Sequence, residues 1–281
     1  MYNFGFIGLG LIGGSIARGL RRAYPDCIIT AFSRTPDNIL PALDDGTVDY
    51  IADDIDGRFR ECDVCFCCTP VLGLPEVFRS LRSVVSPDCI ITDVGSVKSF
   101  VQRSAEETGI THQFIGGHPM AGSERSGYAH ASRSLLKNRV YILTPSKDTS
   151  DEKTELLKTM IENLGCRIMI TDPEDHDRAV AAVSHMPHLV SATLADCIRQ
   201  EDENGLMKKL AGPGFIDTTR LAASSPEMWI QICEANKKNI TDSLDKYIKR
   251  LEKTRDSLEK NDFKEIERLF TDGGNYRNSI E

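Results

Sequence analysis

The sequence predicts an α/β chain: a doubly wound sheet to about residue 171, followed by an all-α second part over 172–281. Three observations carry this prediction. Short apolar runs alternate with helical periodicities through the first part, the pattern of parallel strands joined by crossover helices. The first of those runs ends in a glycine-rich turn that opens a helix. From Asp172 onward no convincing strand occurs, and long helical periodicities broken by Gly and Pro take over.

The first predicted strand, Asn3 to Ile7, runs directly into Gly8-Leu9-Gly10-Leu11-Ile12-Gly13, the pattern G-x-G-x-x-G. In a Rossmann-type sheet such a turn binds a dinucleotide. Gly8 permits the tight turn, Gly10 lets backbone approach the pyrophosphate, and Gly13 lets helix and strand pack closely. The helix N-terminus supplies N–H donors for the phosphates, so these six residues are the first cofactor-binding candidates. A second strand, Cys27 to Phe32, leads to Ser33-Arg34-Thr35, where NAD-binding chains commonly place an acid for the ribose 2′-hydroxyl. No carboxylate stands there. Arg34 and the two hydroxyls suit a 2′-phosphate, so NADP is favoured over NAD, the alternative being a solvated arginine with an acid donated from elsewhere, Asp37 being nearest.

Further strands are expected at Val64 to Cys68, Cys89 to Asp93, Phe114 to Gly116 and Val140 to Thr144, then a helix at Asp151 to Leu164 and a strand at Cys166 to Ile170. Thr69 and Pro70, which follow the run ending at Cys68, join the cofactor-binding candidates. Asp172 can cap a helix opening at Pro173, which marks the domain boundary. Ala211-Gly212-Pro213-Gly214 interrupts the helical part, and Ser225-Pro226 starts a helix expected to reach about Glu259. Its apolar positions Ile240, Leu244, Tyr247, Ile248, Leu251 and Leu258 form a stripe that needs a partner surface. That surface is either the rest of its own domain or a second copy, and a homodimer is favoured.

At 281 residues, with 40% hydrophobic and 27% charged residues, the composition is that of an ordinary soluble globular protein. A net charge of −8 argues against a nucleic-acid partner. No apolar stretch suits a membrane span and no basic leader precedes the first strand, so a cytoplasmic location is expected. Among the nine cysteines, Cys62, Cys65, Cys67 and Cys68 crowd into one run. A metal reading of the C-x-x-C spacings is set against a buried strand, on which residues three apart point to opposite faces, and small core packing is favoured, with no metal expected.

Four segments carry chemistry. Asp93-Val94-Gly95-Ser96-Val97-Lys98 follows a strand at the carboxyl edge where open α/β sheets bind ligands. Gly116-Gly117-His118-Pro119-Met120-Ala121-Gly122-Ser123-Glu124 leaves another strand, and its glycines and proline suit a fixed loop that poises His118 beside the cofactor. Ser184-His185-Met186-Pro187-His188 and Gly214-Phe215-Ile216-Asp217-Thr218-Thr219-Arg220 lie in the helical part. Zinc on His185 and His188 lacks a recognisable third ligand, whereas histidines with an arginine nearby argue for an anionic substrate.

At these residues the chain closely resembles the prephenate and arogenate dehydrogenase family of tyrosine biosynthesis. The resemblance runs from Gly8 to about Asn236, and rests on G-L-I-G-G-S, D-V-x-S-V-K, G-H-P-M-A-G-S-E, S-H-x-P-H and F-x-D-x-T-R followed by Pro226 and Trp229. It implies an enzyme that oxidises a cyclohexadienol by hydride transfer and releases the ring carboxylate as carbon dioxide. His118 would take the ring-hydroxyl proton, and Ser96 would hold its imidazole and approach the nicotinamide. Arg220 would clamp a substrate carboxylate and His188 would meet the substrate side chain. Trp229 would wall the pocket, Ser123 would touch substrate, and His185 with Asp217 would form a bracing pair. Some relatives append a regulatory or mutase module. This chain ends about 20 residues past its long helix, which leaves room for neither and would put any tyrosine feedback at the active site.

Two rivals share the glycine turn. A β-hydroxyacid dehydrogenase or imine reductase would rely on a lysine, and Lys98 is the only one near a sheet edge. A dinucleotide-sensing regulator would not need His118, Ser96 and Arg220 together. Whether the substrate is prephenate, with a keto group, or arogenate, with an amine, is left open by the sequence.

Overall fold

The computed structural model describes residues 1–123 and 125–280; Glu124, in the segment after His118, lies outside them. Its centre is an eight-stranded sheet in the order β3-β2-β1-β4-β5-β6-β7-β8. The strands are β1 (Asn3–Ile7), β2 (Ile28–Phe32), β3 (Tyr50–Ala52), β4 (Val64–Cys67), β5 (Ile90–Asp93), β6 (Phe114–Pro119), β7 (Val140–Pro145) and β8 (Arg167–Ile170). Helices α1 (Leu11–Ala23), α2 (Leu40–Asp44), α3 (Leu74–Arg82), α4 (Ser99–Thr108) and α5 (Asp151–Glu162) connect them. This is the doubly wound sheet the sequence predicts. The helical part that follows comprises α6 (Pro173–Val180), α7 (Met186–Glu201), α8 (Leu206–Leu210), α9 (Pro213–Thr219), α10 (Pro226–Ala235), α11 (Lys237–Glu259) and α12 (Phe263–Asn278).

The two sheet faces bury separate cores because side chains alternate along each strand. Phe4, Phe6 and Phe66 pack on one face with Ile16 and Leu20 of α1. Ile7, Cys65 and Cys67 pack on the other with Phe59 and Phe78. Gly5 sits within that second layer, where a Cβ would come 2.8 Å from both the Cys65 sulfur and the Phe59 ring. Cys62 precedes β4 and turns back beside Cys65, so the two do not face opposite ways as the strand argument expects. Hydrogen bonds with Cys62 and Cys89, then burial, push the Cys65 thiol well up, which suits inert packing.

Two sequence expectations are corrected here. The strand expected to stop at Gly116 continues to Pro119, so His118 lies in β6, opposite Ile142 of β7, and not in a loop. Gly116 and Gly117 serve packing: a Cβ at Gly116 would meet Thr144 Oγ1 at 2.3 Å, and one at Gly117 would meet the Asp93 carbonyl at 2.5 Å. The β6–β7 pair is antiparallel in an otherwise parallel sheet, because the described residues between the two strands form no α-helix to bring the chain back around. The segment instead lies on α1, where Tyr128 and Ala131 would touch any Cβ placed on Gly14.

The second correction concerns the helix from Pro226. It breaks at Asn236, which leaves the helical conformation and donates from Nδ2 to the Asp177 carbonyl at 2.9 Å. The stripe on α11 splits accordingly: Ile240 is buried, whereas Ile248, Leu251 and Leu258 are each about half exposed. The short β3 and the final α12 have no counterpart in the sequence expectations.

Candidate active site

A cleft of about 900 Å³ opens at the carboxyl ends of β1, β2 and β4. Gly8, Leu9 and Gly10 form one wall, Ser33, Arg34 and Thr35 another, and Thr69 and Pro70 a third. Gly8 has φ +84°, a left-handed backbone that glycine adopts without strain. A Cβ on Gly10 would meet no protein atom within 4 Å, so its backbone is open to the cleft. Gly13 packs so tightly that a Cβ would lie 2.8 Å from the Gly8 carbonyl. No side chain caps α1, and the N–H groups of Leu11, Ile12 and Gly13 in its first turn have no intrahelical partner. An extended ligand bearing phosphates fits such a cradle. The cleft wall also includes Asp54, beyond β3, a carboxylate that comes from a different strand end than the one scanned in the sequence.

The reacting groups are set by a buried polar network behind β5 and β6. Asp93 accepts from Gly95 N at 2.7 Å and Gly117 N at 3.0 Å and pairs with Lys98. Lys98 Nζ also donates to the Gly117 carbonyl at 2.6 Å, and both side chains of the pair are fully buried. The strand end that carries His118 is thereby tied to the β5–α4 turn. His118, only 8% exposed, approaches His176 of α6, Nδ1 to Nε2 at 2.8 Å. Burial first, then the neighbouring Lys98 ammonium, holds His118 well below the usual imidazole range, so it is neutral at pH 7.

A five-residue π-helical stretch, Ala181–His185, joins α6 to α7. Such bulges shift helical register and recur at functional sites. Here it delivers His185 and His188 to the indole of Trp229, with ring centroids 5.9 Å and 4.0 Å away, His188 stacked. Arg220, exposed at the end of α9, lies close enough to depress His188, whose lowering is due mainly to burial. His185 is lowered to about 4, chiefly by burial. The structure thus gathers four of the six histidines with Trp229 and Arg220.

Two pairings expected from the sequence differ. His185 does not pair with Asp217, which is exposed on α9; its Nδ1 meets Asn236 Nδ2 at 3.2 Å, because the break before α11 turns that amide inward. Ser96 does not hold Nδ1 of His118. It is half-buried in the β5–α4 turn with its backbone beside His185, and His176 takes the position at Nδ1. Ser123 closes its own turn, its Oγ accepting from Arg125 N at 3.1 Å. The sequence reading missed His176, Asp177 and Asn236. Among the described residues no three His, Cys, Asp or Glu are grouped to hold a metal ion, and no helix is long and apolar enough to cross a membrane.

With this geometry in place, the likenesses to known proteins are informative. Residues 16–170 match the family described as prephenate dehydrogenase, nucleotide-binding domain, and residues 172–272 match prephenate dehydrogenase, dimerization domain. The prephenate dehydrogenase of Bacillus subtilis (strain 168) is 36% identical over 276 residues, 97% of this chain and 74% of that protein. The crystal structure of prephenate dehydrogenase from Aquifex aeolicus in complex with hydroxyphenyl propionate and NAD+ superposes with a TM-score of 0.94 at 31% identity, covering 100% of this chain and 99% of that one. The Synechocystis arogenate dehydrogenase structure gives a TM-score of 0.86 at 32% identity, covering 99% and 100%.

Proposed function

The chain belongs to the prephenate dehydrogenase family and is an oxidoreductase of the prephenate and arogenate class that uses a pyridine nucleotide; from that premise we propose how its residues perform the reaction and which cofactor they prefer. The observation that carries the reading is a neutral, buried His118 beside a cluster that holds Trp229, His188 and the exposed Arg220. The nicotinamide, when bound, accepts the hydride. His118 takes the proton of the ring 4-hydroxyl as hydride leaves the same carbon. The carbonyl so formed draws the electrons of the ring–carboxylate bond, carbon dioxide departs and the ring aromatises.

Arg220 offers a planar two-pronged clamp for a substrate carboxylate, and its exposure suits a group that meets a ligand entering from solvent. His188 and Trp229 wall the side-chain end, and Ser123 and Ser96 complete the set of proposed contacts. Arg220→Gln is expected to raise KM about tenfold or more with a smaller change in kcat, read from initial rates against substrate concentration. A kcat loss at unchanged KM would move Arg220 from binding to the chemical step.

Arg34, with the hydroxyls of Ser33 and Thr35, supports NADP as the preferred cofactor, since all three line the cleft at the end of β2. Arg34→Ala is expected to weaken NADP use by about tenfold relative to NAD, corresponding to loss of a charge-assisted pair. An unchanged preference would remove Arg34 from recognition. Purified protein assayed at 340 nm with prephenate or arogenate, each with NAD and NADP, tests the whole reading, and no absorbance rise in any combination would overturn it. Pairing of two chains through the helical part is supported by the half-exposed α11 stripe and by Phe263 and Phe270, 62% and 77% exposed on α12. A cytoplasmic location is proposed with it.

A further inference from the structure

His118 is held from behind by two residues that no family resemblance singled out. Nδ1 of His176 lies 2.8 Å from Asp177 Oδ1, and Nε2 of His176 lies 2.8 Å from Nδ1 of His118. All three side chains are buried, His176 and Asp177 at 2% and 1% exposure. Asp177 is also tied to α4, accepting from Lys98 N at 2.7 Å and Ser99 N at 2.9 Å. Burial raises its carboxyl, but the bonds from His176, Lys98 and Ser99 outweigh it and bring it below the ordinary value.

The proton positions then follow from what each group can do. A carboxylate only accepts, so Nδ1 of His176 must carry a proton. A neutral His176 therefore has a bare Nε2, which accepts in turn, and its only partner here is Nδ1 of His118. We propose that His176 and Asp177 are positioning residues for the reaction: they fix His118 as the Nδ1–H tautomer, leaving Nε2 as the proton acceptor, and they hold the imidazolium that forms. In the step itself the substrate O–H bond breaks and an N–H bond forms at Nε2, while the hydride and its electron pair leave the carbon for the nicotinamide. The new positive charge on His118 then lies one imidazole away from the Asp177 carboxylate. The opposite polarity would need His176 doubly protonated in the same buried cluster as Lys98, and would place a proton on Nε2 of His118, where no base could act.

The inference rests on His118 being the base, and its test separates the two ideas. Long-range 1H–15N spectra of enzyme labelled at histidine, with the His118 signals assigned by their loss in His118→Asn, report the tautomer without turnover. The expected result is a protonated Nδ1 and bare Nε2 on His118. His176→Phe should abolish that signature and lower kcat about 100-fold with KM changed less than about threefold. His176→Gln, whose Oε1 can still accept the Nδ1 proton, should restore the tautomer and kcat to within about tenfold of the wild type, and it also guards against a folding defect in the Phe variant. A proton on Nε2 in the wild type overturns the proposal, as does a Gln variant no better than Phe. If the tautomer is as expected yet His118→Asn retains turnover, the base assignment falls and the positioning geometry stands.

Discussion

His118→Asn is expected to lower turnover by about two to four orders of magnitude with KM within about threefold, because general base catalysis is lost while the substrate contacts remain. The structure adds a pH dependence. Burial first, then the Lys98 ammonium, disfavours the imidazolium, so the base form persists as the pH falls below the ordinary value of about 6.5. The acid limb of kcat/KM in the wild type should therefore lie below pH 6.5 and vanish from the residual activity of the Asn variant. An acid limb above that value, or a variant of near-normal turnover, would remove His118 from the proton transfer. The same shift has a sign for stability. His118 has a depressed pKa when folded, so the unfolded chain binds more protons, and stability is full above about pH 6.5 and falls as the pH drops toward the folded value.

Asp93→Ala should give the largest loss of stability, about 3–5 kcal/mol, read from the shift of the urea midpoint. The reason is not the worth of the ion pair but what its removal leaves behind: the Lys98 ammonium fully buried with only the Gly117 carbonyl to meet it, and the N–H groups of Gly95 and Gly117 without their acceptor. Adding Lys98→Met to Asp93→Ala should return part of the loss, since an apolar side chain of similar length needs no counter-charge. A loss below about 1 kcal/mol, or a double variant no better than the single, would show that water reaches the site and satisfies the charge.

The elements most legible in the sequence are those whose signals are local. The glycine turn after β1 and the β-branched runs of β2, β5 and β7 need only neighbouring residues to be recognised. β3 has three residues and offers too short a pattern for any periodicity. The extent of β6 was misread for a physical reason: Gly116, Gly117 and Pro119 carry loop composition, yet the glycines are required by the close approach of Thr144 and Asp93 from neighbouring strands. His176 and Asp177 were hidden more completely. They stand in Pro173-Glu174-Asp175-His176-Asp177, which reads as a solvated first turn of a helix, whereas Asp177 finds its partners 79 and 78 residues away at the start of α4. The residues singled out as His188, Trp229 and Arg220 do converge, but the bracing partner of His185 is an asparagine that marks a helix break, and a break of that kind leaves no Gly or Pro in the sequence.

One contact joins the two ligand regions directly. Gln231 of α10 accepts from Leu72 N at 3.2 Å and lines the dinucleotide cleft, two residues along the same helix from Trp229. This ten-residue helix thus has one side chain on the loop that follows Thr69 and Pro70 and another against His188. Whatever free energy the loop gains or loses when α10 shifts is shared between the two occupants. Thermodynamic reciprocity then requires that any factor by which the first ligand changes the affinity for the second be returned unchanged in the other direction, so the order of binding can alter the rates of loading but not the strength of the loaded ternary complex.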